Sequence, residues 1–454
     1  MTQRTVLHRA ATLAAEYLAG LPTRSVAPTP AALARLRSLD RPFPDGPADP
    51  MAVLEELHGV GSPATMATAG GRFFGFVVGG SLPAALAASW LAAAWDQDAG
   101  LAVLAPGAAA FEEVALRWLL DALGLPPDCA GGFVTGATMA NFTALAAARQ
   151  AVLRRAGWDV EADGLFGAPP ISVVVGEEVH VSVLKALGLL GLGRTRVTRV
   201  PTDALGRIRA DRLPPFDDRT IVCLQAGNVN TGACDPVRDI CPVAHARGAW
   251  VHVDGAFGLW AAAAPARAHL VAGSAAADSW ALDAHKWLNA PYDSGVVLCR
   301  DGAAVRAAMA TQAAYLLQGT GREPDEYTPE LSRRARGVEI WAALAALGRS
   351  GLADLVERCC RHAARFAAGL SAAGHEILNE VTLNQVLVRF GDDATTRRVI
   401  AALQADGTCW CGGTVWHGKT AMRISVSSWA TTEEDLERSL SAIVRIARSE
   451  NLGS

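Results

Sequence analysis

Residues 278–291 read DSWALDAHKWLNAP, an apolar run that ends in Asp283, His285 and Lys286. Lys286 is one of three lysines, with Lys185 and Lys419, among 41 basic residues. Arginine would serve a purely cationic role, but only lysine sheds its proton to become an amine nucleophile. Three other segments carry complementary groups. TGATMAN (135–141) follows an apolar run and opens a helical pattern. Its small residues allow close backbone approach, and a helix start offers free N–H groups to an anion, with Thr138 adding a hydroxyl. The plain alternative is a capped turn. AWVHVDGAFGLW (249–260) ends its apolar run on Asp254. That carboxylate is either a helix cap or a permanent negative charge for a cationic ring nitrogen, with Gly255 and Ala256 leaving room for a flat group. EEVHVSV (177–183) puts His180 at a strand-to-helix junction, either as a hydrogen-bonded structural histidine or as a ring stacked on a planar partner.

The elements that must position these groups are legible as alternating apolar runs and helical patterns. GGFVT, ISVVV, RTRVTRV, TIVCLQAG, AWVHVD, DSWALD and GVVLCR read as strands. Helical patterns lie between them, at 140–157, 181–193 and 237–248. Near-continuous apolar strands separated by helices predict an α/β fold, a mostly parallel seven-stranded sheet sandwiched by helices. Ligands then bind at the carboxyl ends of the strands, where Thr138, His180, Asp254 and Lys286 all fall. Residues 1–66 predict an N-terminal helical arm with Pro-rich breaks, 67–345 the large domain, and 346–454 a smaller α+β C-terminal domain. A polar loop at 317–332 separates the sheet region from a helix beginning near Val338.

Composition narrows the classes. The chain has 454 residues, 51% hydrophobic and 19% charged, with net charge −4. That balance argues against nucleic acid or an anionic membrane as partner. LPAALAASWLAAAW (82–95) is too short to span a bilayer. It predicts a buried helix with Ser81 as cap and Pro83 in the first turn. The N-terminus lacks the apolar core of a signal peptide, so a cytoplasmic location is expected. The nine cysteines have no zinc-site spacing and read as buried apolar residues, with no metal expected.

A lysine amine, an anion cradle, a buried acid and a histidine at strand ends of one sheet together fit pyridoxal 5'-phosphate. Lys286 would hold it covalently and Asp254 would keep its ring nitrogen protonated. At this point the chain resembles the pyridoxal-phosphate-dependent group II amino-acid decarboxylases, of fold type I. The likeness runs from GRFFGFVVGGSLPAALA (71–87) to AMRISVSSWATTEEDLE (421–437), and the pairing of HVD with AHKW is its most specific part. The resemblance implies that Ala256 packs on one cofactor face and His180 on the other. It places Ala137, Thr138 and His285 at the phosphate, and Phe76, Val77 and Gly79 on the substrate pocket wall. It gives Arg423 either a substrate carboxylate or a plain strand position. It also implies a homodimer with the active site at the interface and an amino acid as substrate, here with an aromatic or apolar side chain.

Three positions depart from the family pattern. Asp283 stands where many relatives have Asn near the phosphate, which is unfavourable unless the acid is protonated or turned toward N–H donors. AGNVNTG replaces the common Gly-Thr-Thr, leaving Asn228 to take or not take the threonine's place. Tyr327, the one tyrosine in the 317–332 loop, is either the proton donor to Cα or a packing residue. The implied activity is decarboxylation to an amine and CO₂. Oxidative decarboxylation–deamination to an aldehyde, transamination and aldol-type cleavage stand as alternatives on the same scaffold.

Overall fold

The structure, a computed structural model, describes residues 2–311 and 321–452; residues 317–320 of the expected loop lie outside the described residues. The chain groups into two compact units. One comprises Met1–Gly80, Ala364–Leu378 and Val386–Ser454, the other Ser81–Ala363 and Asn379–Gln385.

The second unit is built on a seven-stranded sheet. Its strands are β1 (Ala130–Val134), β2 (Ser172–Gly176), β3 (Val197–Val200), β4 (Thr220–Gln225), β5 (Trp250–Asp254), β6 (Ser279–Asp283) and β7 (Gly295–Cys299). Their spatial order is β1-β7-β6-β5-β4-β2-β3. β2 to β6 pair in parallel, and only β7 runs against its neighbours β1 and β6. Every residue of β5, β6 and β7 is buried, as expected where helices cover both faces of a sheet. The long central helix Ala137–Arg155 supplies twelve buried residues, among them Ala144, Leu145, Ala147, Ala148, Val152 and Leu153. Small side chains along this helix let it lie close on the sheet. Leu145, Val152, Val173, Val175, Ile221, Cys223 and Trp250 join one apolar cluster.

The apolar helix Pro83–Trp95 corrects one expectation. It forms, but its N-cap falls on Leu82 without a side-chain cap, and only Ala85 is buried. Trp90, Leu91 and Trp95 are 44–55% exposed. A stretch apolar on all sides has more apolar surface than one neighbouring layer can cover.

In the first unit the N-terminal residues pack with C-terminal ones. Val26 N–H donates to Gly407 O, and Ala67 N–H donates to Val26 O. Buried Arg72 donates to the carbonyls of Leu21, Pro22, Arg24 and Thr408. A four-stranded sheet, β8 (Glu376–Ile377), β9 (Gln385–Arg389), β10 (Gly412–Trp416) and β11 (Lys419–Ser425), has the order β10-β11-β9-β8. The expected single helix from Val338 runs as Arg336–Ala372 and is broken at Gly348, whose φ of 58° leaves the helical region. All nine cysteines are free.

Candidate active site

The strand ends of the second unit frame a cavity of about 280 Å³ lined by Thr135–Thr138, His180, Ser182, Ala256, Asp283, His285 and Lys286. Seven of the residues singled out in the sequence, from Ala137 to Lys286, therefore come together. Larger surface clefts exist, including one of about 620 Å³ around Arg154, Arg155 and His245. It lies by Ala249 and Asp278, at the opposite ends of the strands, and holds no lysine.

Lys286 is placed by a turn that closes directly after β6. Ala290 N–H reaches Ala284 O, and Asn289 N–H reaches Lys286 O. Asn289 takes a left-handed φ of 59°, a conformation Asn tolerates better than most residues. Beneath the turn, the Trp260 indole N–H donates to Asp283 O at 3.1 Å. Lys286 Nζ lies 2.9 Å from Asp283 Oδ2. Asp283 Oδ1 accepts from Ala137 N–H at 2.5 Å, the first residue of the long helix, and lies 3.3 Å from His285 Nε2. The Asp283 carboxylate thus turns toward the Ala137 N–H, the His285 ring N–H and the Lys286 amine, the arrangement that makes an acid tolerable there. His285 Nδ1 accepts from Ser294 N–H at 3.0 Å, so its Nε2 carries the proton and donates toward Asp283. Burial holds its pKa below the usual histidine value. Its ring stacks on Tyr292 at 4.2 Å.

The loop that opens the long helix owes its position to two glycines. A Cβ on Gly295 of β7 would sit 2.4 Å from Gly136 Cα, so only glycine lets these backbones touch. A Cβ on Gly136 would come within 3.1 Å of the His285 ring.

Asp254 ends β5 and is 4% exposed. Ala256 N–H donates to its Oδ1 and Asn141 Nδ2 to its Oδ2, both at 3.2 Å. Among the described residues no cation pairs with it, so this buried carboxylate has room in its chemistry for an external positive charge. His180 makes a capping contact and also borders the cavity. Its Nδ1 accepts from Ser182 N–H at 3.3 Å and so caps the helix Val181–Leu189, while the residue also lines the cavity. Asn228, just past β4, is 2% exposed. Its Oδ1 accepts from Asn230 and Thr231 N–H, which leaves its Nδ2 a buried donor without a partner among the described residues. Such an orphan donor asks for an acceptor that a ligand would bring.

Tyr327 is not brought to this cavity. It is 8% exposed, joins the apolar cluster of the sheet region, and lies under the Arg322 guanidinium at 4.6 Å. In this single chain Tyr327 therefore packs on the sheet region, outside the cavity of Lys286. Phe76, Val77, Gly79 and Arg423 belong to the first unit. There Phe76 is 66% exposed and stacks on Trp410 at 5.5 Å. Val77 is buried, and Arg423 faces Gly412 across the β10–β11 pairing. Phe76 and Val77 both have positive φ, 54° and 59°, unusual for a bulky and for a β-branched residue. Sequence reading missed Asn141, Ser182, His252 and Ser279, which support Asp254 and His180. The signal was present, since buried strand and helix positions carrying His and Asn need partners.

The fold is that of a pyridoxal-phosphate enzyme. The pyridoxal-dependent decarboxylase conserved domain matches residues 32–390, and the chain belongs to that family. It is 28% identical over 390 residues to the aromatic-L-amino-acid decarboxylase of Bacillus atrophaeus, covering 81% of this chain and 79% of the relative. It is 32% identical over 385 residues to the L-2,4-diaminobutyrate decarboxylase of Rhizobium meliloti (strain 1021), covering 80% and 75%. The crystal structure of Oryza sativa TDC with PLP and tryptamine superposes with a TM-score of 0.90 at 24% identity, over 98% of this chain and 97% of that one. The lysine, the uncompensated Asp254 and the Gly136–Gly295 approach fit this cofactor. No helix among the described residues is long and apolar enough to cross a membrane.

Proposed function

We propose that this chain releases CO₂ from a free L-amino acid with an aromatic or otherwise apolar side chain, giving the amine. The observation that carries the reading is Lys286, a rare lysine, on a cavity shared with a helix N-terminus and His180. Bound there, pyridoxal phosphate supplies a protonated ring that accepts the electrons left when the carboxylate departs as CO₂. Lys286 would hold the cofactor covalently through its amine. Ala137, Thr138 and His285 would hold the phosphate end, at the start of the long helix and with the Thr138 hydroxyl as a donor. Asp254 would pair with the ring nitrogen and so support the electron sink. Ala256 and His180 would bound the two faces of the ring, and His180 or Tyr327 would return a proton at the substrate's Cα. Asn228 Nδ2 is available as a donor to a cofactor oxygen. Asp283 holds the helix start and Lys286 in register.

The exposed aromatic Phe76 stacked on Trp410, in a strained backbone segment, supports 76–79 as the substrate wall, since strain of this kind collects at binding sites. Arg423 is the candidate partner for a substrate carboxylate. The name of the Bacillus relative supports an aromatic substrate. Exposed Trp90, Leu91, Trp95, Val103, Leu104 and Trp118 form an apolar surface suited to a second copy of the chain, and hence to a homodimer with the active site at the interface. Free cysteines suit a cytoplasmic location.

The test is incubation of the loaded enzyme with each common L-amino acid, scoring CO₂, amine, aldehyde and ammonia together. CO₂ and amine in equal amounts from aromatic substrates are expected, and Lys286→Ala should lose both. Aldehyde with ammonia would replace this reading by oxidative decarboxylation–deamination, and turnover without CO₂ would refute it.

A further inference from the structure

The carboxylate of Asp254 is tied to a file of buried polar side chains that runs away from the cavity. Asn141 Nδ2 donates to Asp254 Oδ2 at 3.2 Å. Asn141 Oδ1 lies 2.8 Å from His252 Nε2. His252 Nδ1 lies 2.9 Å from Ser279 Oγ, and Trp250 Nε1–H donates to the same Ser279 Oγ at 2.9 Å. Asn141, His252 and Ser279 are all 0% exposed.

We propose that Asn141, His252 and Ser279 are positioning residues forming a one-way hydrogen-bond relay that keeps Asp254 an aimed, ionised carboxylate. The direction follows from the two ends. An indole N–H only donates, and a carboxylate only accepts. With Asn141 Nδ2 committed to Asp254, its Oδ1 must accept, so His252 carries its proton on Nε2. His252 Nδ1 is then an acceptor, and the Ser279 hydroxyl donates to it while its lone pair receives the Trp250 N–H. Every group is satisfied. Complete burial also pushes the His252 pKa down to about 3, so the ring stays neutral.

Protonating Asp254 would break this pattern. Its O–H would need Asn141 Oδ1, so the amide would have to flip. His252 would then shift its proton to Nδ1, and the Ser279 hydroxyl would lose its acceptor inside the core. The flip would also withdraw the Asn141 Nδ2 contact to Ser182 Oγ at 3.3 Å, and Ser182 Oγ is the group 2.7 Å from His180 Nδ1. An orphaned buried hydroxyl is costly, so the relay opposes protonation of Asp254. It does with oriented dipoles what water does for an exposed carboxylate. The same amide thus braces both Asp254 and His180.

The inference rests on the reading of Asp254 as the partner of the cofactor ring. The test uses full-length, ¹⁵N-histidine-labelled protein, cofactor-free and loaded with pyridoxal phosphate, as wild type, Asn141→Leu, Ser279→Ala and Asp254→Asn. The His252 signal among the 10 histidines is assigned by its loss in His252→Gln. The expected signal is a proton on Nε2 and a bare Nδ1, unchanged from pH 5.5 to 8. In Ser279→Ala the proton should stay on Nε2, held by Asn141 Oδ1, while the Nδ1 signal shifts with the loss of its donor. Asn141→Leu should retain pyridoxal phosphate about tenfold to a hundredfold less well on dialysis, the loss expected for one hydrogen bond to a charge, and should shift the pH profile of the bound cofactor's absorbance. A proton on Nδ1, or an imidazolium, in the wild type would overturn the relay, and so would unchanged retention and pH profile in a folded Asn141→Leu. If Asp254→Asn keeps wild-type retention and absorbance while the wild-type tautomer is as stated, the reading of Asp254 fails and the hydrogen-bond direction stands.

Discussion

Replacing Asp283 by Asn separates two effects that the wild-type residue combines. In the cofactor-free chain its carboxylate carries three contacts, to Ala137 N–H at 2.5 Å, Lys286 Nζ at 2.9 Å and His285 Nε2 at 3.3 Å. The side chains of Asp283 and Lys286 are 4% and 18% exposed. The gross attraction of unit charges at that Lys286 separation is about 6 kcal/mol at an effective dielectric constant of about 20. Much of it is offset by the cost of burying the carboxylate. Asn keeps an acceptor for Ala137 N–H but sets an amide donor against the ammonium. A net loss of about 2 kcal/mol is therefore expected, a fall in Tm of roughly 5 °C for a unit of this size. Scanning calorimetry of the cofactor-free protein reads it. The second effect has the opposite sign. Removing a negative charge beside the phosphate end should tighten binding of pyridoxal phosphate by about tenfold, since relief of about 1.4 kcal/mol is one decade in affinity. A variant with unchanged Tm and weaker cofactor binding would refute both steps. It would mean that Asp283 is protonated and donates to the phosphate.

Two further outcomes follow from the same geometry. His252 has its pKa lowered from 6.5 to about 3 by burial. The unfolded chain therefore binds the extra proton between these values, and stability rises with pH across that window and falls as pH drops through it. The limit of this contribution is roughly 5 kcal/mol; urea melts from pH 7 to pH 4 should show a slope that His252→Gln flattens, and an equal slope in the variant would exclude His252 as its source. In Gly295→Ala the new Cβ would lie 2.4 Å from Gly136 Cα, so the turn before the long helix must move. A folded variant by circular dichroism with at least tenfold poorer retention of pyridoxal phosphate is expected, and wild-type retention would show that the turn does not hold the phosphate.

Much of this protein is written locally. The seven strands fall within a few residues of the apolar runs that announce them, because buried parallel strands need continuous β-branched and aromatic stretches. Lys286, Asp254, Thr138 and His180 were legible because each sits where an apolar run stops, and strand ends are where such sheets place their ligands. What the sequence left open was decided by contacts between distant segments. Whether Asp283 is tolerable depends on Ala137, 146 positions away along the chain. Tyr327 meets Arg322 and the sheet cluster, contacts that no local pattern announces. The 82–95 helix is apolar on every side, and its sequence does not say which side a neighbour covers. The relay behind Asp254 joins Asn141, His252 and Ser279 from three separate elements. No local pattern carries such a relay, because hydrogen-bond direction is fixed only when donors and acceptors meet in space and water is excluded.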